Sequence, residues 1–160
     1  MKHLRKRTFS LILILLLSTT AMLYARYRIL TPEGLAGKSD AICIAKVLAE
    51  KTLGEEWGYI KISTKVRVVQ VLKGGLSKDQ TMDVLTKITP PGAREDEDPP
   101  THMPPVGSSA LLFLSRNDKG DWIPAVFNQG IWAISGDGFA DPYMPSVAEV
   151  TGSILKLKGK

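Results

Sequence analysis

The chain has 160 residues, a formal net charge of +5 and a pI near 9.4, which fits one domain of ordinary globular composition rather than a disordered or repetitive chain. Four of the 21 Lys and Arg stand in the first seven residues, leaving 17 against 16 acids and a remainder at +1. With no basic cluster on that remainder, a nucleic-acid partner is excluded from the reading.

The opening MKHLRKRTFSLILILLLSTTAMLYA explains the excess charge. A basic head, an apolar run from Phe9 to about Leu17 and a small-polar tail have the layout of a secretory signal, with Ala25 the last residue removed. The stretch from Phe9 to Ala25 is also long enough to remain as a membrane anchor. Residues 1–25 are thus read as a signal peptide or an anchor, and residues 26–160 as a domain placed in the periplasm or the exterior. Membrane contact is expected only through an uncleaved N-terminus. The single cysteine, Cys43, excludes an internal disulfide and stands too far from the apolar run to be a lipoprotein anchor.

Thr31-Pro32-Glu33 predicts a helix start: a hydroxyl cap, a proline at the first position and an acid in the first turn. Gly37 is expected to end it. AICIAKVLAE (41–50) predicts a largely buried strand, KTLGEEWG (51–58) a polar loop, and YIKISTKVRVVQVLKG a long strand over 59–72. Ile60, Ile62, Val66 and Val68 alternate with Lys61, Ser63, Lys65 and Arg67, after which the apolar parity passes to Val69 and Val71. That slip is the signature of a β-bulge bending the strand. A short strand follows over 81–87. The segment 88–107, with six prolines and four consecutive acids, is expected as a long loop inside the domain.

ALLFLS predicts an apolar strand, RNDKGD a hairpin turn, and WIPAVF its pairing partner, with Pro124 favouring an edge or bulge. GIWAIS, GDG and FA predict a further small hairpin. Val147, Val150, Ile154 and Leu157 stand at helical spacing behind a Ser146 cap. The pattern is mostly β: a small OB-like barrel of five to six strands, with a short N-terminal helix and a C-terminal helix. Cys43, Ile44, Val66, Val68, Leu112, Phe113 and Trp132 are the expected core.

Three groups of residues carry a family resemblance: Ser39-Asp40-Ala41 opening the first strand, Val71-Leu72-Lys73-Gly74 closing the second, and Leu112-Phe113-Leu114. Over about residues 33–135 the chain resembles the inhibitory domain of tissue inhibitors of metalloproteinases and the netrin-type modules. It is more similar still to small exported bacterial proteins of unknown function that share the barrel. The resemblance implies an OB-like fold, with Asp40 and Gly74 as structural positions. It does not imply zinc-chelating inhibition. The eukaryotic inhibitors chelate through a mature N-terminal Cys-x-Cys, whereas this chain would begin Arg26-Tyr27-Arg28 or stay fused to its signal.

No catalytic set, metal site or cofactor motif is read. Cys43 lies in an apolar strand and is expected as core filling rather than a reactive thiol. The only other nucleophile partner, His102, is in the remote proline-rich loop. Glu95-Asp96-Glu97-Asp98 lacks the alternation and glycine turn of a calcium loop and reads as a solvated run. Gly107-Ser108-Ser109 lacks the second glycine of a nucleophile elbow. The expectation is a non-catalytic module that binds a protein or ligand outside the cytoplasm, or else a protease-inhibitor-like module without the chelating cysteine. Its candidate contacts are Trp57 and Tyr59 on one loop, and Arg94, Glu95, Asp96, His102 and Met103 on the other.

Overall fold

Two apolar segments set the architecture, because one whole strand and the first part of another are buried on both faces. In the computed structural model, which describes residues 30–90, 102–126, 129–141 and 144–157, these belong to β1 (Ala41–Glu56) and β4 (Ser109–Arg116). They pair antiparallel from Ala41↔Leu114 to Lys46↔Ser109. β2 (Tyr59–Lys73) and β3 (Thr81–Ile88) follow β1 in an antiparallel meander, and β5 (Trp122–Pro124) is antiparallel to β4. β5 meets β3 in parallel at a single pair, Val84↔Trp122. The circuit β1-β2-β3-β5-β4-β1 closes a five-stranded OB-like barrel. β6 (Ile131–Ser135) and β7 (Gly138–Phe139) extend the sheet from β4, as a hairpin turning at Gly136-Asp137.

One face of β1 fills the barrel: Cys43, Ala45 and Val47 meet Val66, Val68, Val84, Leu112 and Leu114. The other face, with Ile42, joins Leu72, Leu111 and Phe113 in a second core under the two helices. Of the expected core, Cys43, Val66, Val68, Leu112 and Phe113 are fully buried. Ile44 and Trp132 are half-buried on the outer core. Trp132 stacks at 5.1 Å from Phe113 and 5.3 Å from Phe139, and donates its indole N–H to the Gln129 carbonyl at 2.7 Å.

The bulge in β2 falls where the apolar parity slips. Ala45 pairs with Val68 and Ile44 with Gln70, so Val69 is the extra residue. Val71 then shares the barrel core with Val68, while Val69 itself turns to solvent. A second slip near Leu72, between the pairs Ile42↔Lys73 and Cys43↔Val71, sends that side chain to the outer core.

Helix α1 (Pro32–Lys38) starts as expected, with Thr31 Oγ1 accepting from the Gly34 N–H at 3.2 Å. It does not end at Gly37. The Lys73 ammonium donates to the Ala36 and Ser39 carbonyls at 2.8 and 2.6 Å, so a side chain from β2 caps the helix. Beside it, Gly74 has φ +87, and a Cβ there would lie 2.5 Å from the Asp40 carbonyl oxygen. Asp40 in turn accepts the Arg116 N–H at 2.9 Å. The residues that carry the family resemblance therefore meet in one corner, where α1 feeds β1. Helix α2 (Val147–Leu157) carries a capping box between Ser146 and Glu149. It buries Val150 and Ile154, while Leu157 is exposed.

The polar loop expected over 51–58 is instead strand. β1 runs on to Glu56, with bulges near Leu48 and Leu53 marked by the slips Val47/Ala49 and Thr52/Gly54. Beyond Val47, which still bonds to Gly107 and Ser108, it pairs with β2 alone, and β2 in turn pairs with β3, so β1 forms the outer edge of a three-stranded arm. Residues 48–56 of β1 are exposed on both faces, so no apolar alternation marks them in the sequence.

Candidate binding surface

The arm turns in two residues, Trp57 and Gly58, with φ of 56° and 77°. Positive φ at both central positions is the mirror-type hairpin turn that suits the strand twist and favours Asn-Gly. A tryptophan in the left-handed region is costly for a bulky side chain. Its indole is 88% exposed, so burial does not offset that cost. Tyr59, the other aromatic candidate, is half-buried at the base of the turn.

At the foot of the arm lies a cleft of about 310 Å³. Its apolar floor is Leu53, Leu85 and Ile123, and its rim is Lys61, Lys87 and Lys119. The far lip is the β4–β5 turn, held by Asn117. The Asn117 carbonyl oxygen Oδ1 accepts from the Lys119 and Asp121 N–H groups at 2.9 Å each, and its Nδ2 donates to Asp121 at 3.1 Å. Arg116 and Trp122 stiffen the base of this turn, the guanidinium lying 3.7 Å from the ring centroid.

Lys61 and Lys87 are a directly opposed cross-strand pair on the outer face, an arrangement that repels. Glu56 forms an ion pair with Lys61. That hydrogen bond holds the Glu56 carboxyl below its usual range, with the charges of Lys61, Lys87 and Lys119 adding to the effect. Among the described residues, Lys87 and Lys119 have no ion pair or side-chain hydrogen bond.

A second cleft, about 300 Å³, lies between α1, α2 and the end of β2. Its two charged groups are engaged: Lys73 caps α1, and Glu33 accepts from the Ser153 hydroxyl at 2.9 Å.

The remaining candidates divide. His102 is exposed. Met103 is 9% exposed and packs inside the barrel with Val47 and Val84, so it plugs the barrel instead of reaching outward. Arg94, Glu95 and Asp96 lie outside the described residues, as do the N-terminal signal or anchor and Arg26-Tyr27-Arg28. Cys43 is 0% exposed, and burial pushes its thiol up to about 12. Among the described residues no three His, Cys, Asp or Glu gather to hold a metal, and no helix is long and apolar enough to cross a membrane.

The three lysines escaped the sequence reading. Alternation marks Lys61 as outward-facing, but only the β2–β3 register sets it against Lys87, and only barrel closure brings Lys119 to both. No protein-family model matches the chain, and no curated protein sequence matches it.

Proposed function

We propose that the protein is an exported, non-catalytic binding module of the cell envelope or exterior, and that it binds at the barrel end formed by the β1–β2 turn and the β4–β5 turn. The observation that carries this is Trp57. A large aromatic stands at a hairpin tip, in a strained backbone conformation and almost wholly in water. Strain of that kind persists where it serves recognition, and exposed aromatics anchor binding surfaces. The surface between these two turns, over β2 and β3, is the one OB-type barrels commonly use for ligands. The basic head and apolar run of residues 1–25 support export. The resemblance to metalloproteinase inhibitors and netrin-type modules belongs to this reading as shared scaffold. An inhibitor-like role would act through the arm, without zinc chelation.

The test places a photo-crosslinking residue at position 57 and irradiates intact envelopes. The expected result is one dominant adduct, which is lost when the crosslinker is moved to Lys65 on β2. Equal adducts from both positions would refute the reading.

A further inference from the structure

The barrel is not sealed evenly. β3 runs from Thr81 to Ile88 but meets β5 only at Val84↔Trp122. Past Val84, residues 85–88 pair with β2 on one side and, among the described residues, have no ladder partner on the other. The cleft opens along that side, between β3 and the β4–β5 turn. An unpaired strand edge presents backbone donors and acceptors at every second residue. The cleft beside this edge is lined by the apolar Leu85 and Ile123 and, across β2, by Leu53, which is 51% exposed.

The charges around the edge are uneven. Lys61 and Glu56 satisfy each other. Asp121 is tied into its turn by Asn117. Lys87 and Lys119 are left without an ion pair of their own among the described residues; Asp118 and Asp121 line the same cleft, and Glu56, paired with Lys61, feels both charges. The opposed Lys61–Lys87 pair is an unfavourable arrangement that a further carboxylate beside Lys87 would relieve. Thr86 adds a second unmet group: its hydroxyl is 5% exposed and has no partner among the described residues.

We propose that the free edge of β3 at residues 85–88 takes an extended peptide as an added strand, with an acidic side chain between Lys87 and Lys119 and an apolar one on Leu85 and Ile123. This rests on the binding-module reading and names its partner class. Backbone pairing supplies affinity, and the two side chains select the sequence. An oligosaccharide would use the lysines and Trp57 but would leave the strand edge unpaired.

The probe is an acetylated, amidated peptide of alternating Val and Glu, eight residues long by design, about the reach of a short strand. It is titrated into the full chain, ¹⁵N-labelled in mild detergent, while backbone amide shifts are followed. The expected result is saturable shifts at residues 85–88 and 117–121. Affinity should fall about tenfold or more in K87E/K119E, and by a similar factor when alternate peptide nitrogens are methylated. The methylated peptide keeps the test independent of how the variant folds. Equal binding of the methylated peptide would overturn strand addition. So would shifts at 85–88 that follow protein concentration alone, which would make a second copy the occupant. Shifts produced by an acidic oligosaccharide and not by the peptide would overturn this inference while leaving the binding-module reading intact. If no probe shifts these amides and crosslinking at position 57 is non-selective, both readings fail.

Discussion

Replacing Trp57 with asparagine should make the protein more stable and less able to bind. The backbone at this position has φ 56°, and the indole is 88% exposed. The left-handed conformation costs an ordinary L-residue about 1–2 kcal/mol, whereas asparagine enters it easily. The exposed ring gives up little burial when removed. Trp57→Asn also completes the Asn-Gly pair that two-residue hairpins favour. The net gain should be about 1 kcal/mol, or a rise in Tm of roughly 2–5 °C for a domain of this size. Urea unfolding followed by far-UV circular dichroism measures it, since the slope should not change. The same variant should lose the dominant partner in a pull-down. A loss of about 1 kcal/mol or more would show that the indole packs on something that stabilises the fold, and the argument from strain would collapse.

Gly74→Ala should destabilise by about 3 kcal/mol or more, since φ is +87 and the new Cβ would press on the Asp40 carbonyl at 2.5 Å; a midpoint within about 0.5 kcal/mol of the parent in urea would show that the corner yields. Cys43 should resist a thiol reagent at pH 8 until denaturant is added, and rapid labelling of the native chain would contradict its burial. Its thiol sits near 12 when folded against 9.0 for the free side chain. Stability from Cys43 is therefore intact below pH 9 and falls by about 1.4 kcal/mol per unit as pH rises toward 12. The alkaline limb should flatten in Cys43→Ala. The Thr64 and Thr86 hydroxyls are buried without partners among the described residues, so Thr64→Val should be neutral or stabilise by about 1 kcal/mol. A clear loss in calorimetry would reveal a bound water or partner on that hydroxyl.

Much of the scaffold could be read directly. The Thr31-Pro32-Glu33 start, the bulge at Val69 and the Ser146 cap are local signals, and each is written within a few adjacent residues. The arm was not legible, because residues 48–56 touch water on both faces and their composition matches that of a loop. Gly54, at φ 133, reads as loop punctuation but stands beside a bulge. Met103 was misplaced for the opposite reason: it lies in a proline-rich stretch, and only the closed barrel offers it an apolar socket. The cleft was invisible for want of register. Nothing local says that Lys61 faces Lys87, or that the β4–β5 turn returns to them. The end of helix α1 is partly local, at the Ser39 cap just past Gly37, and partly distant, because Lys73 donates to the same Ala36 carbonyl.

β4 is the strand on which the barrel's closure depends. It holds β1 along one edge, and β5 and β6 along the other. Until residues 109–116 are available, both faces of β1 lack the leucines and Phe113 that complete their cores, and β1 to β3 form only an open meander. Pairings that span such a separation form slowly, because loop-closure entropy must be met before the contact rewards it. A chain emerging N-terminus first therefore leaves the barrel open until residues 109–116 have appeared. The order of strands along the sequence works as a timer: the barrel locks shut only once β4 arrives.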